Sequence, residues 1–242
     1  MPSLSQPLPP RCASCLARDE CPFFPIARPL LFQVQAAVEV HWCTTRYSIF
    51  HQGREAAGFY ILRSGWVKLS HRTKNGKKPV TGIAGPGSVL GLFEVLTSMP
   101  FESTAEALED CELEFVRAAT FMALLEKNPN LAVDLLKTTG LQAQRSRADL
   151  YALAGGLPSA NRLLAILGDL AANCGSPSLD GIRLRIPFRV QDLAEKIGCS
   201  RQWTSKLLRE LETKKLIQRE AGWIIIRAHD TEQTKLRLAK GA

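Results

Sequence analysis

Two stretches of the chain carry residue types whose spacing could do chemistry. The first is CASCLARDEC, residues 12–21, where Cys12, Cys15 and Cys21 stand in the order C-x2-C-x5-C. Thiolates are soft, strongly donating ligands, and gaps this short let one loop wrap a metal or a cluster face. The chain holds seven cysteines, an odd number. Its start, MPSLSQPLPPRC, has neither a basic region followed by an apolar run nor a cleavage-like site, and no run of about 18 apolar residues follows, so a soluble cytoplasmic protein with reduced thiols is expected. A disulfide framework is therefore the weaker reading of these cysteines, and metal ligation and plain free thiols both stay open.

The second stretch is VQDLAEKIGCSRQWTSKLLRELETKKLI, residues 190–217. Val190, Leu193, Ala194 and Ile197 make one helical face, Gly198 and Cys199 a tight turn, and Ser200 a cap for a second helix whose apolar face is read as Trp203, Leu207, Leu208 and Leu211. Two short helices joined by a glycine-containing turn make a helix-turn-helix, whose second helix lies in the major groove with its N-terminal residues toward the base edges. Arg201, Gln202, Ser205 and Lys206 then point to the groove. Gln202 and Lys206 are the expected base readers, since Gln can bond an adenine edge and Lys the O6 and N7 of guanine. Arg201 and Arg209 are expected at phosphates, which position without reading sequence. LIQREAGWIIIRAH reads as a hairpin about Ala221-Gly222, a wing that brings Arg219 near the DNA backbone.

Charge agrees with this reading. From Ile182 onward there are 14 Lys or Arg and 7 Asp or Glu, so this last quarter carries +7 of the chain's net +8. A basic domain beside a near-neutral body suits a polyanion, because each phosphate neutralised releases condensed counterions. Catalysis has no comparable signal. The four histidines (His41, His51, His71, His229) fall at no ligand spacing, and no phosphate-binding glycine loop, GxSxG elbow or HExxH is present. The chain is read as no enzyme.

Several elements must position these residues. From about Tyr47 to Leu113 short apolar runs alternate with glycines, with Gly53, Gly65, Gly87 and Gly91 where strands should turn and Asn75-Gly76 predicting a tight type I′ hairpin. Pro129 opens a helix that Gly155-Gly156-Leu157-Pro158 stops. Ala132, Leu136, Thr139, Ala143, Ser146, Leu150 and Leu153 follow the alternating spacing of a coiled-coil seam, thin in the middle, so a marginal homodimer is expected with Leu136, Ala143, Leu150 and Leu153 at its contact; packing of the same face on the β domain is the alternative. Ser159 is read as the cap of a further helix through Leu170, and CGSPSLDG, residues 174–181, as loop. The expected fold is α+β: a Cys-containing N-terminal segment (1–28), an antiparallel β-roll (29–125), a dimerisation helix (126–156) and a winged helix-turn-helix (157–242).

This order of parts, with IGCSRQWTSKLLRELETKKLI and its wing, resembles the CRP/FNR family of bacterial transcription regulators along nearly the whole chain. The resemblance implies a homodimer on two-fold symmetric double-stranded DNA, with RNA polymerase as a partner. Cyclic-AMP-binding members carry Gly-Glu and Arg-Ser pairs in the segment that here reads GSVLGLFEVLTSMPFESTAEALEDCEL. Glu102-Ser103 stands at the Arg-Ser position, and a carboxylate there repels a cyclic phosphate, so no cyclic nucleotide is expected. The resemblance to the oxygen-sensing FNR type implies instead a 4Fe-4S cluster on Cys12, Cys15, Cys21 and a fourth cysteine, taken as Cys111. Cys111 falls three residues before the family's ligand position, an odd offset that turns a strand side chain to the opposite face; Cys43, expected on or at the end of a preceding helix, is the reserve. Direct thiol redox sensing, zinc and a cyclic-nucleotide-type regulatory subunit are the competing readings. Zinc is disfavoured by the lack of a second close cysteine pair, and the regulatory subunit by the basic winged domain.

Overall fold

In a computed structural model the described residues are 8, 10–13, 28–76, 78–137, 140, 144, 158–185 and 187–227. The chain divides into two compact units, Met1–Arg147 and Ala148–Ala242.

The first unit is built on eight strands and five helices among the described residues. A short turn of helix, α1 (Pro10–Ala13), and α2 (Arg28–Ala36) precede β1 (Val38–Cys43), β2 (Ser48–Phe50), β3 (Gly58–Ser64), β4 (Val67–Ser70), β5 (Val80–Ala84) and β6 (Val89–Leu90). Then come α3 (Leu92–Thr97), β7 (Thr104–Ala107), β8 (Cys111–Arg117) and α4 (Ala118–Lys127). A fifth helix, α5, runs over residues 129–137, and Gly140 and Gln144 are helical as well. The strands form two antiparallel sheets, β1-β8-β3-β6 and β2-β7-β4-β5. Period-2 alternation sorts β8 cleanly. Cys111 and Leu113 enter the core shared with Phe50, Leu62, Val67 and Ala105 of both sheets, whereas Val116 joins Phe59, Ile61, Phe121, Leu131 and Leu135 in a second core where helices cover the first sheet.

The strand-turn glycines Gly53, Gly65, Gly87 and Gly91 all have positive φ. At Gly65 the need is doubled, because an added Cβ would sit 2.5 Å from the Cys111 sulfur. The Asn75-Gly76 hairpin differs from expectation. Ser70 pairs with Val80, which leaves a loop of about nine residues instead of a two-residue turn. Within it Gly76 N–H donates to Thr73 O, and among the loop's described residues only Gly76 takes positive φ. Asn75 is not forced left-handed, so the type I′ geometry is absent. Cys43 likewise ends a strand, β1, not a helix.

In the second unit α6 (Ser159–Cys174) leads to β9 (Ser176–Ser178), β10 (Gly181–Arg185), α7 (Val190–Ile197), α8 (Arg201–Thr213), β11 (Ile217–Glu220) and β12 (Trp223–Arg227), with sheet order β11-β12-β10-β9. Pro158, not Ser159, is the N-cap of α6, and the helix continues beyond Leu170 to Cys174. Half of the stretch read as loop is strand: Ser176, Pro177 and Ser178 pair with Arg183, Ile182 and Gly181. Leu163 and Leu167 of α6, Leu184, Ile197, Leu208 and Ile217 are its most deeply buried large side chains. They lie where α6 meets α7, α8 and β10 and where α8 meets β11.

Candidate nucleic-acid interface

The α7–α8 corner is held by backbone chemistry that its sequence dictates. Asp192 accepts from Arg189 N–H at 2.8 Å, tying the start of α7. Gly198 ends the helix at φ 68°, the left-handed conformation that glycine adopts without a Cβ clash, and its N–H bonds back to Ala194 and Glu195 carbonyls. Ser200 Oγ accepts from Trp203 N–H at 3.2 Å, the cap expected of it. One residue the sequence did not flag braces the turn. Arg162 of α6 donates through Nε and Nη2 to Ile197 O at 3.2 and 3.0 Å, using a carbonyl the helix end leaves unpaired. No local pattern announces a bond across 35 positions.

On α8 the buried face is Thr204, Leu207, Leu208 and Leu211, the spacing i, i+3, i+4, i+7. This corrects the reading of Trp203 as apolar-face: it is 45% exposed, and fully buried Thr204 takes the place, its hydroxyl satisfied by Ser200 O at 3.0 Å. The periodicity counted back from Leu211 contains that answer; the size of the indole pointed away from it. Arg201, Gln202, Lys206 and Arg209 are exposed and Ser205 half-buried, so these residues share the wet side with Trp203. The Lys206 ammonium lies 5.0 Å from the Trp203 ring centre. Arg219, on β11, is exposed but ion-paired at 2.5 Å with Glu212. That arginine's hydrogen bond holds the Glu212 carboxyl below its usual range. A phosphate contact by Arg219 would have to share or replace this partner.

The cysteines lie elsewhere. Cys15 and Cys21 are outside the described residues. Cys12, half-buried, packs against the helix-covered core of the first unit. Its neighbour Arg11 pins this segment to β8, donating from Nη2 to Glu112 and from Nε to Glu114, each at 2.6 Å, while Arg63 Nη1 donates to Arg11 O at 2.7 Å. Glu112 and Glu114 alternate with Cys111 along β8, so the face that receives Arg11 is the one Cys111 turns away from. Cys111 is 1% exposed, its Sγ donating to Glu109 O at 3.2 Å, and it stands opposite Cys43, also buried, in the β1–β8 register. Burial pushes the Cys111 thiol up to about 12 and the Cys43 thiol upward too, so both stay protonated at neutral pH. Cys111 and Cys43 face the core between the two sheets, away from the β8 face that Arg11 holds, and among the described residues no three His, Cys, Asp or Glu side chains gather as a metal site.

At the position equivalent by resemblance to a phosphate-binding arginine, Glu102 is exposed; its N–H donates to Glu94 Oε1 at 3.3 Å, and its carbonyl lies 2.9 Å from His71 Nδ1. Of the seam residues, Ala132 and Leu136 are described, the first half-buried and the second 70% exposed, while Leu131 and Leu135 face the core. Ala143, Leu150 and Leu153 lie outside the described residues. No helix among the described residues is long and apolar enough to cross a membrane.

Comparison with known proteins agrees with the two units. A model described as a cyclic nucleotide-binding domain matches residues 43–128, and one described as a Crp-like helix-turn-helix domain matches residues 161–231. The HTH-type transcriptional regulator Cmr of Mycobacterium tuberculosis is 30% identical over 192 residues, 78% of this chain and 72% of that protein. The Global nitrogen regulator of Synechococcus elongatus is 30% identical over 173 residues, 70% and 77%. The solved structure of FixK2 from Bradyrhizobium japonicum shares the fold with a TM-score of 0.71 at 17% identity, covering 84% of this chain and 96% of that one. With a helix-turn-helix of matching type and relatives at this level along most of its length, the chain belongs to the CRP/FNR family of DNA-binding transcription regulators and is not an enzyme.

Proposed function

We propose that the protein is a sequence-specific regulator that binds two-fold symmetric double-stranded DNA as a homodimer and engages RNA polymerase there, in the cytoplasm. The observation that carries this is the α8 surface: a helix capped by Ser200, anchored by four buried residues, and presenting Arg201, Gln202, Ser205, Lys206 and Arg209 on the side away from the core. Gln202 and Lys206 read base edges, Arg201 and Arg209 meet phosphates, and Arg219 approaches the backbone from the wing once Glu212 yields. The exposure of Leu136 on α5 supports a seam that a second copy covers together with Ala143, Leu150 and Leu153. A pool of random duplexes incubated with the protein tests this: a recovered sequence with two inverted half-sites about one helical turn apart supports it, and recovery of unpatterned sequence overturns it.

The signal is a second, separable part of the reading. Redox control enters through Cys12, Cys15 and Cys21, whose spacing suits an iron-sulfur cluster or direct thiol oxidation, and Arg11 ties Cys12 to the sheet that carries β8. The exposed Glu102 argues against a cyclic phosphate ligand. Iron and sulfide analysis of anaerobically purified protein, with spectra before and after air, separates the two forms of redox control. Colourless, iron-free protein whose DNA affinity is the same in both atmospheres removes both.

A further inference from the structure

Trp203 has no role in the assignments above, yet its surroundings are unusual for a surface side chain. It occupies the first turn of α8, and its backbone N–H is fixed by Ser200 Oγ at 3.2 Å. Its indole is 45% exposed while Thr204, Leu207 and Leu208 beside it are buried. It is the one aromatic residue of that helix, set among the polar residues Arg201, Gln202 and Lys206. The Lys206 ammonium, one turn on, rests over the ring at 5.0 Å. A lone exposed apolar side chain needs no explanation in general. One at the N-terminal turn of a helix-turn-helix second helix, where base edges are met, does.

We propose that Trp203 is a specificity-determining residue that reads a thymine through its C5-methyl group and aims Lys206 at the neighbouring base. This rests on the DNA-binding reading of α8. The major groove offers apolar contact only at that methyl, and a flat, rigid indole covers it at little conformational cost. The indole carries no acceptor, and its single N–H donor is left for a phosphate or a purine N7. The ring face meanwhile holds the Lys206 ammonium by cation–π attraction, which restricts a long, flexible side chain to one side of the helix before DNA arrives. The preferred half-site therefore contains a thymine within about one base step of the position Lys206 reads.

The test uses the full-length protein and a duplex recovered by it from a random pool, with each thymine replaced in turn by deoxyuridine, which removes only the methyl. Wild type is expected to lose affinity about fourfold at one thymine per half-site, the worth of one buried methyl. Trp203→Ala should bind the parent duplex about tenfold or more weakly, show no deoxyuridine effect at that position, and keep its non-specific affinity and salt dependence. Trp203→Phe, which keeps an aromatic edge, should retain most of the methyl effect. An unchanged deoxyuridine profile in Trp203→Ala, or an equal loss on specific and non-specific DNA, overturns the assignment while leaving the DNA-binding reading intact. Failure of wild type to recover any duplex strikes that reading itself and takes the assignment with it.

Discussion

Replacing Arg11 with alanine should release the segment that carries Cys12. The arginine side chain is 34% exposed, and its partners Glu112 and Glu114 are 19% and 9% exposed, each at 2.6 Å. A fully exposed ion pair contributes about 0.2–1 kcal/mol, and a hydrogen bond to a charged group about 1.5–3 kcal/mol when shielded. Two such bonds in this half-shielded setting, discounted for screening, hold the segment by about 1–2 kcal/mol, or about 5- to 30-fold in the docked-to-released ratio. Arg63 remains 3.5 Å from Glu114, so the glutamate is not left as an unpaired buried charge and the β-roll should stay folded. The assay is position-resolved alkylation of Cys12 by mass spectrometry: its rate should rise about 5- to 30-fold in Arg11→Ala and partly in Arg11→Lys, which keeps a charge but loses the fork. Wild type should approach the variant as salt is raised, because the pair is partly exposed. An equal Cys12 rate in wild type and Arg11→Ala, with both proteins folded, would refute the clasp.

Three further expectations follow from the same structure. Lys206→Ala should relax discrimination at one base position, whereas Arg209→Ala should weaken binding to all sequences and lower the salt slope by about 1 per protomer, both read from titrations at several salt concentrations. Leu136→Glu should weaken self-association at least about tenfold in sedimentation, since it removes a leucine contact of about 1.5–3 kcal/mol from each copy, without lowering the melting temperature of the β-roll. The Cys111 thiol, pushed up to about 12 in the fold against about 9 for an ordinary thiol, keeps its proton where the unfolded chain has lost it. Its contribution to stability is therefore complete below pH 9 and declines as pH rises toward 12, and Cys111→Ala should flatten that part of the denaturation profile.

Much of the fold was legible in the sequence because its signals are local. Positive-φ glycines, the Ser200 cap, the Gly198 stop and the Ala221-Gly222 hairpin each act within a few residues, and all stand where the pattern placed them. What escaped depends on partners outside the residue's own helix, turn or strand. Ser176–Ser178 became strand only because β10 offered an edge, and its proline and serines carry no strand propensity of their own. The Arg11 clasp spans about a hundred positions, and Arg162 reaches the α7 terminus from another helix. Trp203 differs for another reason: its indole is the more hydrophobic side chain, but the helical period buries Thr204, whose hydroxyl proton a carbonyl of the preceding turn accepts. Contiguous pairing of β1 with β8, which sets Cys111 opposite Cys43 and turns it to the core, is a register that no local pattern carries.

The most direct test of the account is the affinity of the purified protein for a duplex carrying its own selected site, measured against scrambled DNA at fixed salt with Gln202→Ala/Lys206→Ala alongside. Wild type should prefer the selected site at least about a thousandfold, and the double variant should lose most of that preference while still binding scrambled DNA. Equal affinity of the folded wild-type protein for selected and scrambled duplexes would contradict it.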